Sequence, residues 1–450
     1  MEVPLPLGCS GSENLPKTKQ LLKNCFNTGE NRVLPRPGIV KLKDTGAVAR
    51  GSLEWNGSLY HVLSQELVKV IDTETGDYTS IGTIEGPFAI ETAVGFNHAV
   101  IVVKGGAIYT LDSSDTLTDI SSNANFVPCV DVCHINGRFI YIPENGDPAF
   151  FSDVGAAGTV QSSSYFDAEE LPDKNNANFE FANTLFICGT DSIEQFRDSG
   201  ATPNPWQRVS GARLLSGYIG GLLEYAGTYV FVGREKDQDF GIYAVAQGRA
   251  DKISNEYIDL LLADYTQGEL KETISGRIKW RGHDLATFRL RRHSFGFYKG
   301  QWFLLDTLID GESRPWSAGY ITQFNGNYYT AFSGYLGRFD KVNTDYGERI
   351  TRLIEAGHQS EGFSSIQSLE LDISQGFNSS KGSVAIMMSR DGVTYGDPLY
   401  RELGDIGEYD NRLQWNPPGG LGMYEGFIGV RIYCSEDVDF SISKMMVTSR

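Results

Sequence analysis

A short turn that recurs along the first three quarters of the chain limits the possible folds more than any other feature. Each turn separates two runs of β-branched and aromatic residues, and the turns begin at Asn56, Asn97, Asn136, Asn183, Ala226, Arg281 and Asn325. Successive turns lie about 40 to 55 residues apart, and four short strands fit into each interval. Units of this length with four strands each are typical of the blades of a β-propeller.

The first unit, residues 50–84, shows how one blade is encoded. Three breaks divide it into four β-type runs, and they fall at Asn56-Gly57, Ser64-Gln65 and Thr75-Gly76. A single four-stranded meander cannot bury both of its faces, whereas radial stacking covers each sheet with its neighbours. We therefore predict an all-β propeller of about seven four-stranded blades, or of six if the last unit gives a strand to another element.

One segment inside the propeller has helical periodicity instead. Within residues 254–273, apolar positions follow helical spacing at Ile258, Leu261, Leu262 and Tyr265. Ser254 or Asn255 can cap the start of this segment. The sequence predicts one inserted helix, which accounts for the longest interval between turns.

The two ends of the chain have patterns of their own. From about residue 346, alternating runs are separated by turns at Asp391-Gly392 and at 417–419, which predicts an antiparallel β-sandwich. The first residues contain several prolines and predict an irregular arm that must lean on the rest of the molecule. We expect three parts: the arm at 1–46, the propeller at 47–345 with its helical insertion near 254–273, and the sandwich at 346–450.

The charge balance restricts the partners of the chain. Its 450 residues include 57 Asp and Glu against 39 Lys and Arg, a net charge of −18. Such a surface repels nucleic acid and anionic membranes, so any contact with DNA is expected to be local or loose. The N-terminus lacks the features of a signal peptide, and no apolar window is long enough to span a bilayer, so we expect no membrane insertion.

The cysteines predict neither a disulfide framework nor a metal site. Six cysteines are spread widely through the sequence, which favours reduced thiols. Cys129, Cys133 and His134 have a spacing that suggests metal ligands. On a strand, however, His134 points away from the face shared by the two cysteines, and no second cluster lies nearby to complete a tetrahedral zinc site.

The stretch SRDGVTYG, residues 389–396, suggests a sugar hydrolase at first sight. It nearly spells the Ser-x-Asp-x-Gly-x-Thr-aromatic box of sialidase propellers, but Asp391 and Gly392 are adjacent where the box separates them by one residue. An adjacent Asp-Gly pair also forms a plain hairpin turn, and this pair lies in the predicted sandwich. The sequence contains no nucleophile elbow, phosphate loop or His-Glu-x-x-His motif. We predict that the protein is not an enzyme and binds no cofactor.

A candidate docking face lies in the sixth unit. Basic residues alternate along two neighbouring strands, at Arg277, Lys279 and Arg281 and at Arg289 and Arg291. Residues two apart on a strand share a face, so two such strands would present one positive surface on an acidic protein. This surface could dock an acidic partner or contact phosphates weakly, and the alternative is a set of solvated edge charges.

Ordered pieces of the sequence resemble one protein family. Residues 21–39 end in Pro37-Gly38-Ile39, residues 189–196 carry a Gly-x-x-Ser-Ile-Glu-x-Phe arrangement, and residues 264–293 contain a helix followed by a strand pair. Together with the first blade and the region from SRDGVTYG to the C-terminus, these pieces resemble the packaged-DNA stabilisation proteins, or tail hub (nozzle) proteins, of short-tailed bacteriophages. The order of the pieces carries the resemblance more than any one of them.

The resemblance implies a structural virion protein of the phage tail, assembled in the host cytoplasm. Members of the family are implied to form a ring, expected to be a homo-hexamer, below the portal and the head-to-tail adaptor. The ring would retain packaged DNA, serve as the ejection conduit and attach a plug or needle and tail fibres or spikes. A mostly acidic wall would bind double-stranded DNA only transiently, because the duplex carries about one negative charge per 1.7 Å.

Two other functions compete with this interpretation. One is a propeller glycoside hydrolase or lyase, such as a phage depolymerase, which would need paired carboxylates at a set separation in a central pocket. The other is a non-enzymatic propeller that binds glycans or proteins. An export signal would favour the second alternative, and the sequence shows none.

Overall fold

A computed structural model describes residues 2–12, 15–30, 32–168, 170–236, 238–246, 248–332, 334–376, 382–418 and 420–449. The described chain is nearly all β, with a propeller followed by a sandwich, which confirms the predicted fold class. Neither of its helices is long and apolar enough to cross a membrane.

The N-terminal segment is more regular than the sequence suggested. It contains six strands: β1 (Glu2–Val3), β2 (Ser10–Ser12), β3 (Leu15–Lys23), β4 (Cys25–Asn27), β5 (Val33–Pro35) and β6 (Gly38–Asp44). β2 pairs with β3, and β4 pairs with β5. The strands β1, β3, β5 and β6 pair with strands of the propeller or the sandwich that lie more than 200 residues away in the sequence. The expectation of an irregular arm is therefore wrong, because local patterns do not reveal such distant partners.

Five four-stranded antiparallel sheets follow, each with its first strand innermost. Blade 1 is β7 (Ala49–Trp55), β8 (Ser58–Leu63), β9 (Glu66–Asp72) and β10 (Asp77–Thr83); blade 2 is β11 (Ile90–Val94), β12 (His98–Val103), β13 (Ile108–Asp112) and β14 (Leu117–Asp119); blade 3 is β15 (Cys129–Ile135), β16 (Arg138–Pro143), β17 (Ala149–Phe151) and β18 (Tyr165–Phe166); blade 4 is β19 (Asn175–Phe181), β20 (Thr184–Gly189), β21 (Ile193–Asp198) and β22 (Trp206–Arg208); blade 5 is β23 (Ser216–Tyr225), β24 (Thr228–Glu235), β25 (Gly241–Ala246) and β26 (Arg249–Lys252).

The insertion after blade 5 contains two short helices where the sequence predicted one. They are α1 (Glu256–Ala263) and α2 (Gln267–Lys271). Asn255 caps α1 by accepting a hydrogen bond from the amide of Ile258, as the sequence allowed. Thr266 and Glu269 form a capping box that starts α2. The apolar spacing alone predicted one continuous helix, whereas the cap at Thr266 starts a second, separate helix.

Two further blades bring the propeller to seven. Blade 6 is β27 (Ile274–Trp280), β28 (His283–Arg289), β29 (Ser294–Tyr298) and β30 (Gln301–Ile309), which β31 (Glu312–Pro315) extends. Blade 7 is β32 (Tyr320–Phe324), β33 (Asn327–Phe332) and β34 (Tyr335–Asp340), and its fourth strand is β6 from the N-terminal segment. The register runs antiparallel from Gly38 opposite Asp340 to Asp44 opposite Tyr335. A strand from the start of the chain thus closes the ring.

The innermost strands line the axis of the propeller. Each contacts the innermost strand of the next blade, and β32 contacts β7, so the seven form a closed circle. Between neighbouring blades lie clusters of buried apolar side chains, such as the one that joins blades 1 and 2 around Tyr60, Val62 and Ile101. Radial stacking therefore covers both faces of each sheet, which is the physical basis of the fold.

The sandwich follows a short hairpin of β35 (Thr344–Asp345) and β36 (Glu348–Arg349). Its strands are β37 (Arg352–Ile373), β38 (Ser383–Ser389), β39 (Leu399–Glu402), β40 (Leu413–Trp415), β41 (Gly422–Cys434) and β42 (Ile442–Ser449). β3 pairs with β30 of blade 6 on one side and with β37 on the other. One sheet of 16 strands therefore runs from the propeller into the sandwich.

Candidate functional site

The predicted basic face of blade 6 comprises Arg277, Lys279, Arg281, Arg289 and Arg291. In the hairpin β27–β28, Arg277 pairs with Ala286, whereas Arg289 pairs with Ile274. Because side chains alternate along a strand, Arg289 points to the face opposite that of Arg277 and Lys279. Arg281 lies in the turn with a φ of 49°, and Arg291 follows the end of β28. The five side chains do not share one face, so this geometric part of the prediction is wrong.

Four of these five side chains are engaged within the chain. The Arg277 guanidinium lies 2.7 Å from Asp284, and that of Arg281 lies 2.9 Å from Asp439 in the sandwich. Arg289 donates to the carbonyl oxygen of Trp316 and lies 3.8 Å from the ring centre of Phe332, while burial lowers its pKa. Arg291 is 3.7 Å from Glu269, and Lys279 is exposed. A docking role for these residues stays a prediction.

A different group of polar side chains lies near the axis, where the inner strands begin. Arg50, which is 4% exposed, donates to the carbonyl oxygens of Phe88 at 2.7 Å, Ser64 at 2.8 Å and Ile84 at 2.9 Å. These carbonyls belong to blade 1 and to the segment leading into blade 2. Burial lowers the pKa of Arg50, and the carbonyl cage compensates for part of the lost hydration. Arg50 therefore joins two blades.

Asp131 is the buried carboxyl group of this axial cluster. Its two oxygens accept hydrogen bonds from the amides of Val132 at 2.9 Å and Asn178 at 2.6 Å. Burial, and then the charge of Glu91, hold the pKa of Asp131 well above its usual value. Glu91 itself forms an ion pair of 2.7 Å with Lys104. A raised carboxyl pKa beside a second carboxylate also occurs in glycosidases, but both Asp131 oxygens accept hydrogen bonds from backbone amides, and the bond from Asn178 joins blades 3 and 4.

Arg36 is a second buried charge, for which the sequence pattern predicts no role. It lies 2% exposed where the N-terminal segment meets blades 6 and 7. Its five N–H groups donate to Asn24 Oδ1, to the carbonyl oxygens of Pro37 and Asp306, and to both oxygens of Asp345 at 2.9 and 2.6 Å. Its guanidinium also lies 4.9 Å from the ring centre of Trp316. Complete pairing is what allows a charge to be buried at such a site.

Further contacts beside Arg36 join the end of the propeller, the sandwich and the N-terminal segment. Arg352, the fully buried first residue of β37, donates to Asn343 Oδ1 at 2.6 Å and to the carbonyl oxygen of Val438 at 3.2 Å. Burial lowers the pKa of Arg352. On the other side, Trp280 Nε1 of blade 6 donates to the carbonyl oxygen of Pro35 at 3.0 Å. We call Arg36, Asp345, Arg352 and their partners the junction.

The only sequence signal for the junction is the run Pro35-Arg36-Pro37-Gly38. A Cβ atom on Gly38 would overlap the carbonyl oxygens of Val342 and Thr344, so glycine is required by close backbone approach. Arg36 stands between two prolines that stiffen the chain on either side. Its partner Asp345 lies 309 residues away, so the pair could not be inferred from spacing.

The stretch SRDGVTYG has the geometry of a turn. Gly392 has a φ of 77°, and Asp391 Oδ1 accepts hydrogen bonds from the amides of Val393 and Thr394 and from the Ser389 hydroxyl. The two amides lower the pKa of the exposed Asp391 to about 2. Gly392 also lies against the backbone of Pro16 and Lys17. These contacts support the interpretation as a turn between β38 and β39.

The cysteines and histidines of the described residues form no cluster that could hold a metal ion. All six cysteines are buried and free. Burial raises the pKa of Cys129 and Cys133, which disfavours the thiolate that zinc requires. His134 belongs to the same strand and lies against the ring of Phe139.

Comparisons with known proteins cover both domains. Residues 18–341 match the family model described as Bacteriophage P22 Gp10, beta-propeller, and residues 348–450 match the model described as Bacteriophage P22 Gp10, beta-sandwich. The tail hub protein gp10 of Salmonella phage P22 is 24% identical over 426 residues, which cover 87% of this chain and 86% of that protein.

Solved structures are more distant. The extracellular domain of a two component system from B. thetaiotaomicron matches with a TM-score of 0.45 and 9% identity, over 78% of this chain and 42% of that one. The chain therefore spans less than half of that protein. PorZ, a surface component of the type-IX secretion system of Porphyromonas gingivalis, matches with a TM-score of 0.41 and 11% identity, over 74% of this chain and 44% of that one. Matches at these TM-scores support no conclusion about function.

Proposed function

The chain belongs to the bacteriophage P22 Gp10 family, and from this premise we propose that it is a tail hub protein, a structural component of a phage tail. One observation carries the proposal: the propeller and the sandwich both match, in order, and a tail hub protein is similar over 87% of the chain. A fold alone would not suffice, because propellers serve many functions.

We propose further that copies of the chain form a closed ring, expected to be a hexamer, below the portal and its adaptor. A ring needs heterologous contacts in which one surface of each copy meets a different surface of the next. Such contacts transmit load only if each copy is rigid. The sheet through β3 supports rigidity, because it joins the propeller to the sandwich. The fully paired Arg36 supports it as well, because it fixes the N-terminal segment to blade 6 and to β35 beside blade 7.

The ring would retain packaged DNA and conduct it during ejection. The net charge of −18 supports loose contact, because a surface with few uncompensated cations releases few counterions from the duplex. Most of the cations of blade 6 are engaged by the chain itself, which leaves little positive surface there for phosphates. Plug or needle proteins and fibres or spikes would attach to the outside or the distal end of the ring.

A non-enzymatic role is part of the proposal. Asp131 has the raised carboxyl pKa that a glycosidase acid needs, but both of its oxygens accept hydrogen bonds from backbone amides. A glycosidase acid must reach the glycosidic oxygen of its substrate with a free oxygen. This environment supports a structural carboxyl group that joins two blades.

Electron microscopy tests the proposal. The purified chain is mixed with portal complexes that carry their adaptor, and the particles are viewed in negative stain. We expect an added distal ring with cyclic symmetry, and no addition to portals that lack the adaptor. A chain that stays monomeric and never docks would contradict the proposal, as would release of reducing sugar from host polysaccharide by the purified chain.

A further inference from the structure

A cavity of about 470 Å³ lies on blade 3, beside the start of its inner strand. Three segments enclose it: residues 125–128, which lead into β15, residues 143–148, which connect β16 to β17, and residues 160–165, which lead into β18. Its volume falls within the range of about 300 to 1,000 Å³ that is usual for ligand sites. None of its lining residues belongs to the junction.

The walls of the cavity are held in place by hydrogen bonds between the segments. Asn125 Nδ2 donates to the carbonyl oxygen of Val160 at 2.8 Å. The backbone amide of Glu144 donates to the carbonyl oxygen of Pro128 at 2.8 Å, which fixes the β16–β17 turn against the segment before β15. Phe150 and Val160, both buried, form the floor. The cavity is thus formed before any ligand binds, so binding would cost little ordering entropy.

The lining combines apolar walls with carboxylates. Val127 and Tyr165 are 46% and 53% exposed at the rim, and several prolines extend the apolar surface between them. The charged side chains among the lining residues are Glu144 and Asp147, both acidic. Glu144 is exposed, and its carboxylate lies beside Gly105. The charge of the cavity is therefore complementary to a cation with an apolar neighbour.

We propose that this cavity binds an arginine side chain, with an adjacent apolar side chain, from an extended segment of a partner protein. A planar guanidinium can lie on the exposed Tyr165 ring and donate paired hydrogen bonds to the Glu144 carboxylate. The neighbouring apolar side chain would cover Val127 and the prolines. Arginine is favoured over lysine because its flat, weakly hydrated group suits an aromatic wall. The proposed function adds only one expectation, that the partner is another tail protein; the cavity and its ligand do not depend on it.

Titration calorimetry with a minimal probe tests the cavity itself. The probe is N-acetyl-leucyl-arginine amide, and the control ligand is the same molecule with citrulline, which is neutral and nearly isosteric. We expect the arginine compound to bind and the citrulline compound to bind at least about fivefold more weakly. Equal binding of the two compounds, or no binding of either, would overturn the proposal.

Paired variants of the full chain locate the binding. Glu144→Gln and Tyr165→Ala should each weaken binding of the probe about three- to fivefold, the usual size of an exposed charge or cation–π contact. Glu85→Gln and Tyr400→Ala are the matched controls, because both residues are exposed and neither lines the cavity. Unchanged binding in the first two variants, or an equal loss in the controls, contradicts the assignment.

Two other occupants would give different results. Binding of neutral oligosaccharides that Tyr165→Ala abolishes would make the cavity a glycan site and overturn the proposal. Self-association that is lost in Glu144→Gln would identify a second copy of the chain as the occupant, with the same consequence. If the chain docks on the adaptor but does not bind the probe, the cavity assignment fails and the proposed function stands. If the chain binds the probe but never docks, the cavity assignment stands and the proposed function fails.

Discussion

The propeller and the sandwich protect the edges of their sheets in different ways. In the propeller, the inner strands form a closed circle and β6 completes the last blade, so that the open edges of blades 1 to 5 are their outer strands, such as β14 and β18. In the sandwich, β39 is an open edge whose four residues are all exposed. There, side chains cover backbone oxygens: Arg401 donates to Tyr400, Asn411 to Glu402 and Trp415 to Leu399. The last blade of the propeller is completed by one strand from a distant part of the sequence, whereas the edge of the sandwich is covered by several local side-chain contacts.

The junction is where these two solutions meet. The strand that closes the propeller, β6, follows directly after Arg36 and Pro37, and β5 just before Arg36 pairs with β42 of the sandwich. Residues 33–44 therefore complete the last blade of the propeller and also attach the sandwich to it. Four substitutions, from the largest expected effect to the smallest, separate the contributions of the junction, the closed ring and the open edge.

Arg36→Ala should have the largest effect. It leaves the Asp345 carboxylate, 1% exposed, without its guanidinium, and removing one partner of a buried pair costs about 3 to 5 kcal/mol. Urea unfolding followed by fluorescence should show a much lower midpoint. Arg349→Ala is the matched control, because its 3.2 Å ion pair with Glu436 is exposed and should cost at most about 1 kcal/mol. Similar losses in both variants would show that the junction holds nothing together.

Gly38→Ala tests the closure of the ring. The added methyl group would overlap the carbonyl oxygens of Val342 and Thr344, and overpacking of this kind costs about 1 to 3 kcal/mol. We expect faster hydrogen exchange in β34 and β6, because their pairing is weakened. The control is Gly268→Ala in α2, where the Thr266 hydroxyl oxygen would lie 4.0 Å from the new atom. That change should leave stability equal or raise it by about 0.5 to 1 kcal/mol. Unaltered exchange in Gly38→Ala would mean that β6 does not determine closure.

Asp131→Asn tests the cost of a buried charge inside the closed ring. Because the folded state raises the pKa of Asp131, folding favours its protonated form. This group's contribution is therefore most favourable below its unfolded pKa of about 3.9 and is lost as pH rises toward the folded value. We expect the stability of the wild type relative to Asp131→Asn to fall as pH rises above about 4 and to become constant above the folded pKa. A difference that is independent of pH, measured by denaturant unfolding at each pH, would contradict this.

Arg401→Val should have the smallest effect on stability and a visible effect on association. Arg401 is exposed, and its loss should change the free energy of unfolding by about 0.5 kcal/mol or less. The substitution also frees the carbonyl oxygens of Tyr400 and Gln414 and adds a β-branched side chain at an open edge. We expect concentration-dependent aggregation by light scattering. The same change at Lys279, on an inner propeller strand, should not aggregate, and equal behaviour of the two variants would remove the distinction between the edges.

Much of the propeller could be predicted because its turns follow from local chemistry. Asn56, Asn136 and Asn325 have φ values of 47°, 50° and 47°, and each precedes a glycine that also has positive φ. Such pairs form the tight hairpins that match the twist of the strands. Blade 2 differs, since its hairpin turns over residues 95–97, between Val94 and His98. Period and turn chemistry were thus sufficient for the repeat but not for every turn.

The candidate sites were predicted less well, because alternation gives a face only within one strand. Arg277 and Lys279 do share a face, as the sequence indicated. Whether Arg289 joins them depends on the register between β27 and β28, and the observed register puts it on the other side. The sequence contains no signal for the cavity on blade 3, whose walls come from three loops held by hydrogen bonds between segments.

The sequence predicts the repeat period, most of the turn residues and the change of pattern near residue 346, because these depend on neighbours a few residues apart; it left six or seven blades open. Which strand closes the ring, and which charge is buried at the junction, depends on tertiary contacts. β6 pairs with β34, and Arg36 pairs with Asp345, at the two ends of the propeller sequence. A strand or side chain that pairs with a residue about 300 positions away produces no periodic pattern in the sequence. It is selected only when the rest of the fold brings the two segments together and removes water from between them.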